Sequence, residues 1–180
     1  MKVIGFCGKA GSGKSTVLKA IEDLGVIITM GDVIRNEAKV RNHKFLDENL
    51  GKISLELREE FGSEIIAEKC VELIKNLDHE IIFVDGLRSL AEVRVFRKSW
   101  TFPIVAVIID DKTRFERLSK RGRPDDPNSL EDLKGRDKRE ADLGLSEVMK
   151  SANYRIDNSV SEKEVQKKTR DLILDLIKNY

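Results

Sequence analysis

Gly8-Lys9-Ala10-Gly11-Ser12-Gly13-Lys14-Ser15-Thr16 is the stretch whose reading decides the fold. It fits the pattern G-x-x-x-x-G-K-[ST], directly follows the apolar run Val3 to Cys7, and precedes a helical run carrying Val17, Leu18 and Ile21. Glycines at 8, 11 and 13 let successive backbone N–H groups turn toward a phosphate, and a helix starting there adds its positive end. Lys14 can then reach the β and γ phosphates, and the Ser15 hydroxyl can ligate magnesium. Ser12 and Thr16 complete the cradle, so the stretch predicts a site for a nucleoside triphosphate with Mg2+.

Outward from the loop, short apolar runs alternate with longer segments of helical period, the pattern of a parallel sheet covered by helices on both faces. Strands are expected at Val3 to Cys7, Val26 to Thr29, Ile81 to Asp85, Ile104 to Ile109 and Tyr154 to Ile156. Between the second and third, Leu46, Leu50, Ile53, Leu57 and Phe61 recur at helical spacing, as do Ile66, Cys70, Leu73 and Leu77. A simple crossover needs only one helix, so residues 31–77 read as a helical insertion beside the sheet. Ser89 with Glu92, Thr113 with Glu116 and Ser161 with Glu164 have capping-box spacing. The segment Arg121 to Asn128, RGRPDDPN, reads as a loop because its prolines interrupt a helix.

Composition narrows the classes. The 180 residues carry 33 Lys plus Arg against 32 Asp plus Glu, a net charge of +1, which argues against a general nucleic-acid binder. No apolar run approaches the ~20 residues of a membrane span, and no secretory signal is read. Cys7 and Cys70 lie far apart without metal-type spacing, so a reducing, cytoplasmic setting and one domain over residues 1–180 are expected.

Asp85 ends the buried run Ile81-Ile82-Phe83-Val84, where a second magnesium-organising carboxylate is needed beside such a loop. An aspartate ending a strand is otherwise a common turn former.

Further segments carry a family resemblance. Met30-Gly31-Asp32-Val33-Ile34-Arg35 resembles the T-G-D-x-L-R motif of adenylate kinases, and Asp85-Gly86-Leu87-Arg88 resembles their D-G-F-P-R, one residue shorter. Glu116-Arg117-Leu118-Ser119-Lys120-Arg121 is similar to the helix entering their lid, and Tyr154-Arg155-Ile156-Asp157-Asn158 looks like the tail of dephospho-CoA kinases. The chain thus resembles the P-loop nucleoside monophosphate kinase group, and within it a set of archaeal adenylate-kinase-related proteins sharing G-D-V-x-R, D-G-x-R-S-L-A-E and R-D-x-R-E segments. The resemblance implies a three-layer P-loop NTPase fold with a five-stranded parallel sheet, an acceptor-binding insertion at 31–77 and a short lid at 121–139. It also implies ATP as donor and an acceptor such as AMP. Arg117 and Asn158 then belong to the donor site, while Gly31, Asp32, Arg35, Arg88 and Glu92 face the acceptor.

The departures lie on the acceptor side. Met30 stands where adenylate kinases carry threonine, and Glu92 where they carry a base-reading glutamine. A carboxylate only accepts hydrogen bonds, and Glu92 is equally the capping-box partner of Ser89. The crowded Arg114, Arg117, Arg121, Arg123, Arg136 and Arg139 have two readings. They are surface partners of Glu116, Asp132, Asp137 and Glu140, or a lid in which Arg121 and Arg136, with Arg123 and Arg139, stabilise the transferring phosphoryl group. Asp32 either organises a magnesium-bound water or its helix start, or accepts the proton of a sugar hydroxyl. His43 and His79 read as solvated. The expected protein is a magnesium- and ATP-dependent nucleotide kinase. A dephospho-CoA-type kinase and a nucleotide-binding regulator with weak hydrolysis stay open.

Overall fold

The structure is a computed structural model that describes residues 1–44, 46–122 and 126–179, with Asp47 by its backbone only. Its strands are β1 (Lys2–Cys7), β2 (Val26–Thr29), β3 (Ile81–Asp85), β4 (Ile104–Ile108) and β5 (Tyr154–Asp157). The helices are α1 (Lys14–Lys19), α2 (Met30–Val40), α3 (Asp47–Phe61), α4 (Ile65–Lys75), α5 (Leu90–Arg97), α6 (Asp111–Arg121), α7 (Leu130–Asp142), α8 (Leu145–Ser151) and α9 (Glu162–Asn179).

The strands pair in the order β2-β3-β1-β4-β5, all parallel. Strands buried on both faces carry apolar residues at successive positions rather than alternately, and this is why their runs stand out in the sequence. Val3 and Cys7 of β1, Ile82 and Val84 of β3, and Ile104 and Ala106 of β4 face α2, α3, α4, α5 and α8. Ile4, Phe6, Phe83, Val105 and Val107 face the opposite side, where α1 and α9 supply Val17, Leu18, Val165, Ile173 and Leu176. Phe6 and Phe83 meet edge to face there at 6.0 Å. Burying a side chain of that size is worth roughly 1.5–3 kcal/mol. A small third cluster joins Ala10 of the phosphate loop to Leu118 and Leu133, and so to α6 and α7.

The insertion is three helices, α2 to α4, but its apolar stripes differ from those expected. Ile53 and Leu57 are buried, while Leu46 and Phe61 at the ends of that stripe are 43% and 54% exposed. In α4 the buried residues are Ile66, Ala67, Cys70, Val71 and Ile74, and at about 100° per residue Leu73 lies roughly 90° from the centre of that face, outside it. The expected box at Thr113 and Glu116 is also corrected. Asp110 caps α6, accepting from the Thr113 backbone N–H at 2.9 Å and its hydroxyl at 2.7 Å. The Ser89–Glu92 box is present in both directions, and Ser161 accepts from Glu164 N–H at 3.4 Å.

Cys7 and Cys70 are free and buried, and burial pushes each thiol up to about 12, against the pull of Lys14 on Cys7 and with Glu92 adding to the rise at Cys70. No described helix is long and apolar enough to cross a membrane.

Candidate functional site

A parallel sheet sends all its strand-to-helix connections from one edge, and a ligand crevice opens there where the strand order turns back on itself. Here β1 is flanked by β3 and β4, and the phosphate loop leaves the carboxyl end of β1. Three of the loop's carbonyls are each taken by a side chain. Gly8 O accepts from Lys14 Nζ at 2.7 Å, Ala10 O from Arg114 Nη1 at 3.1 Å, and Ser12 O from Asn158 Nδ2 at 2.8 Å. Holding carbonyls in this way fixes the loop's peptide planes, which leaves its amides oriented for an anion. Gly13 adopts φ +87°, and a Cβ there would stand 1.8 Å from Asn158 Nδ2, so both the backbone and the close contact require glycine. The helix that follows, α1, is short.

From sequence Arg114 reads as one of the crowded arginines, a surface partner or a lid residue, and its burial is not anticipated there. It is 1% exposed, yet it is charged, and it forks onto Asp137 at 3.0 and 2.6 Å while bonding Asp111 at 3.1 Å. Lys9 of the loop adds ion pairs to Asp137 at 3.3 Å and Asp111 at 3.7 Å. Burial opposes the charged form of Asp137, but the bonds from Arg114 and the charge of Lys9 outweigh it and hold the carboxyl below its ordinary range. The sequence signal was available: Arg114 lies four residues before buried Leu118, on the apolar face of α6, where a charge must find partners.

Three adjoining cavities line the crevice. One of about 300 Å3 lies beside the loop and is walled by Gly11, Gly13, Ser15, Thr16, Arg117, Arg121, Asn158 and Glu162. Arg117 donates to Asn158 O at 3.2 Å. A middle cavity of about 160 Å3 brings together Gly8, Lys14, Ser15, Gly31, Arg35, Asp85, Arg88, Arg121 and Arg136. A third, of about 240 Å3, is walled by Ile34, Leu50, Ser54, Leu55 and Leu143, with Arg35, Arg88, Arg136 and Arg139. Gly11, Ser15 and Arg121 are common to the first two, and Gly31, Arg35, Arg88, Arg136 and Glu140 to the last two.

Asp85 sits on the middle cavity, paired in register with Phe6 and Thr29. Its Oδ1 is buried and has no hydrogen-bond partner among the described residues. Burial pushes its carboxyl above the ordinary range, although Lys14, Arg88 and Arg35 pull the other way. A carboxylate oxygen and the Ser15 hydroxyl on the wall of one cavity are hard oxygen donors of the kind that suits magnesium.

Several expected site residues hold other residues. Glu92 is fully buried: Oε2 accepts from the N–H groups of Arg88 at 2.7 Å and Ser89 at 3.1 Å, and Oε1 from Arg58 Nη2 at 2.7 Å. Substrate contact therefore gives way to the structural reading for Glu92. Ser12 and Asn158 are 2% exposed, and Asn158 braces the loop. Asp32 does not wall the middle cavity; its Oδ1 accepts from Arg35 Nε at 2.9 Å and Nη2 at 2.6 Å, which orients the Arg35 guanidinium. Arg121 donates from Nε to Asp126 at 2.9 Å. Arg88 and Arg136 both approach Glu140. His43 and His79 are exposed, and Arg123 lies outside the described residues.

This sheet order, with a phosphate loop after β1 and helices on both faces, defines the P-loop kinase fold. Its solved neighbours have the same architecture. TT1252 from Thermus thermophilus is 17% identical with a TM-score of 0.66, covering 97% of each chain. Shikimate kinase from Acinetobacter baumannii in complex with shikimate is 15% identical with a TM-score of 0.58, covering 97% of this chain and 94% of that one. A family model described as an AAA domain matches residues 4–142. The chain belongs to the UPF0200 family: it is 40% identical to the UPF0200 protein of Hyperthermus butylicus, over 95% of this chain and 92% of that one. It is also 42% identical to the UPF0200/UPF0201 protein of Archaeoglobus fulgidus over 99% of its own length, and spans 57% of that relative. The resemblance to P-loop kinases and their archaeal relatives thus stands.

Proposed function

We propose that the chain is an ATP-dependent, magnesium-assisted phosphotransferase of the cytoplasm whose acceptor is a small nucleotide-like phosphate, a nucleoside monophosphate such as AMP. The row of three adjoining cavities, with Lys14 and Asp85 on the middle one, carries this reading. A protein that only hydrolyses ATP needs the first two; the third, with four arginines on its wall, suits a second anion.

In this mechanism the loop amides hold the donor phosphates and Arg117 lies over the donor base, in the cavity where Asn158 keeps the loop in shape. Lys14 leaves Gly8 O for the β and γ phosphates. Arg121 and Arg136, reaching in from α6 and α7, meet the charge that spreads over the transferring phosphoryl group. Arg35 and Arg88 hold the acceptor phosphate in line. Its attacking oxygen is already anionic, so no general base is needed, and Asp32 serves by fixing Arg35. Ser15 and Asp85 would hold magnesium, whose positive charge would offset that of the phosphates. Residues 31–77 supply the acceptor side, and 121–139 the lid that keeps water out.

Purified protein incubated with magnesium ATP and a panel of nucleoside monophosphates, nucleosides and dephospho-CoA, followed by product identification, tests this. A nucleoside diphosphate is the expected product. Phosphorylation of a hydroxyl instead, or slow ATP hydrolysis with no transfer, would overturn it.

A further inference from the structure

Glu140 of α7 lies on the seam of the middle and acceptor cavities, its side chain 10% exposed. Two guanidinium groups approach its Oε1 without reaching it: Arg88 Nη2 at 3.7 Å and Arg136 Nε at 3.6 Å. Its Oε2 is buried and has no hydrogen-bond partner among the described residues. The contrast with Asp137, three residues earlier on the same helix, is direct. That carboxylate uses both oxygens, at 3.0 and 2.6 Å, on one arginine. A buried carboxylate oxygen without a donor is costly to keep.

An acceptor phosphate does not remove this cost, because a carboxylate repels it. What Oε2 lacks is a hydrogen-bond donor, and it lacks it beside the arginines that would hold the acceptor phosphate. In a nucleoside monophosphate the donors nearest the phosphate are the sugar hydroxyls. We infer that Glu140 is a specificity-determining residue that accepts a hydrogen bond from a sugar hydroxyl of the acceptor, so that the acceptor is a ribonucleotide rather than a deoxyribonucleotide or a bare phosphate. The inference rests on the monophosphate-acceptor reading. A site that hydrogen-bonds a hydroxyl rejects the analogue lacking it, since its own polar group is then left unpaired.

The test is a binding titration in magnesium and a non-hydrolysable ATP analogue. AMP, GMP, CMP and UMP are compared with their 2′-deoxy and 3′-deoxy counterparts, on the wild type, Glu140→Ala and Glu140→Gln. The wild type is expected to bind one ribonucleotide roughly 10- to 100-fold more tightly than at least one of its deoxy counterparts. Glu140→Ala is expected to lose that preference, and Glu140→Gln, which keeps a carbonyl acceptor, to retain part of it. Equal binding of ribo and deoxy forms by the wild type overturns the inference and leaves the monophosphate reading intact; this arm needs no variant to fold. Failure of all four ribonucleotides to bind overturns that reading and the inference with it. A variant that weakens ribo and deoxy forms equally, keeping the ratio, would make Glu140 only a spacer between Arg88 and Arg136, and would also overturn it.

Discussion

The phosphate-loop side of the crevice and the side proposed to take the acceptor are built from the same residue types but to different tolerances. Around the phosphate loop, Arg114 and Asp137 meet at 2.6 Å, and the carbonyls of Gly8, Ala10 and Ser12 are all held. Across the middle cavity, the Arg88–Glu140 and Arg136–Glu140 pairs stand at 3.7 and 3.6 Å, and the Arg35–Asp32 pair, although close at 2.6 Å, is well exposed. A tightly held loop presents its amides without reorganising at the moment of reaction. Long or well-exposed pairs can exchange partners at small cost when an anion arrives. The difference fits a protein with a prepared donor site and an acceptor site completed by its ligand.

That contrast breaks most visibly at Lys14. Lys14→Ala is expected to lower phosphoryl transfer by about 10³-fold while lowering the melting temperature by only a few degrees, since the fold loses one bond, to Gly8 O, whereas the reaction loses a charge set against developing negative charge. Steady-state rates and a thermal melt check both halves. Next comes Arg114→Ala, which leaves Asp137 and Ala10 O without their main buried partner. A loss of about 3–5 kcal/mol of stability is expected, measurable by urea unfolding; a loss below 1 kcal/mol would show the donor side to be less tightly bound than its distances say.

On the acceptor side, Arg88→Ala is expected to weaken AMP by about 1.5–3 kcal/mol while adenosine and ATP change little. Equal losses for AMP and adenosine in titration would remove the phosphate clamp. The smallest effect concerns Asp85. Burial raises its carboxyl above the ordinary range, so the folded protein holds that proton more tightly than the unfolded chain. In chelator, its contribution to stability is full below the unfolded-state value near 3.9, and falls as pH rises through the higher folded value. Asp85→Asn is expected to flatten that decline in melts taken across pH, and to spare nucleotide binding more than turnover.

The sheet was legible because its strands are buried on both faces, so Ile81 to Val84 and Ile104 to Ile108 read as continuous apolar runs. The phosphate loop was legible because its chemistry is local: donors, glycines and lysine lie within nine residues. What escaped depends on pairings across long separations. Arg114 finds Asp137 twenty-three residues on, and Asn158 finds Ser12 across 146. Glu92 showed its spacing to Ser89, but nothing in the sequence indicated that Arg58 would close its other oxygen. The sequence offered Glu140 only as a surface partner of the crowded arginines, and its burial beside Arg88 and Arg136 shows only once α7 is folded against the crevice.

The two buried thiols give each side of the crevice its own clock. A thiol pushed up to about 12 has almost no thiolate at neutral pH, so alkylation waits for exposure. Cys7 lies at the end of the central strand next to the phosphate loop, and Cys70 in the helical insertion. Their separate labelling rates, read by peptide mass, would time the opening of the donor floor and of the acceptor wall in a single sample. If the insertion breathes independently of the sheet, Cys70 will be modified first; if the molecule opens only as a whole, the two will keep pace.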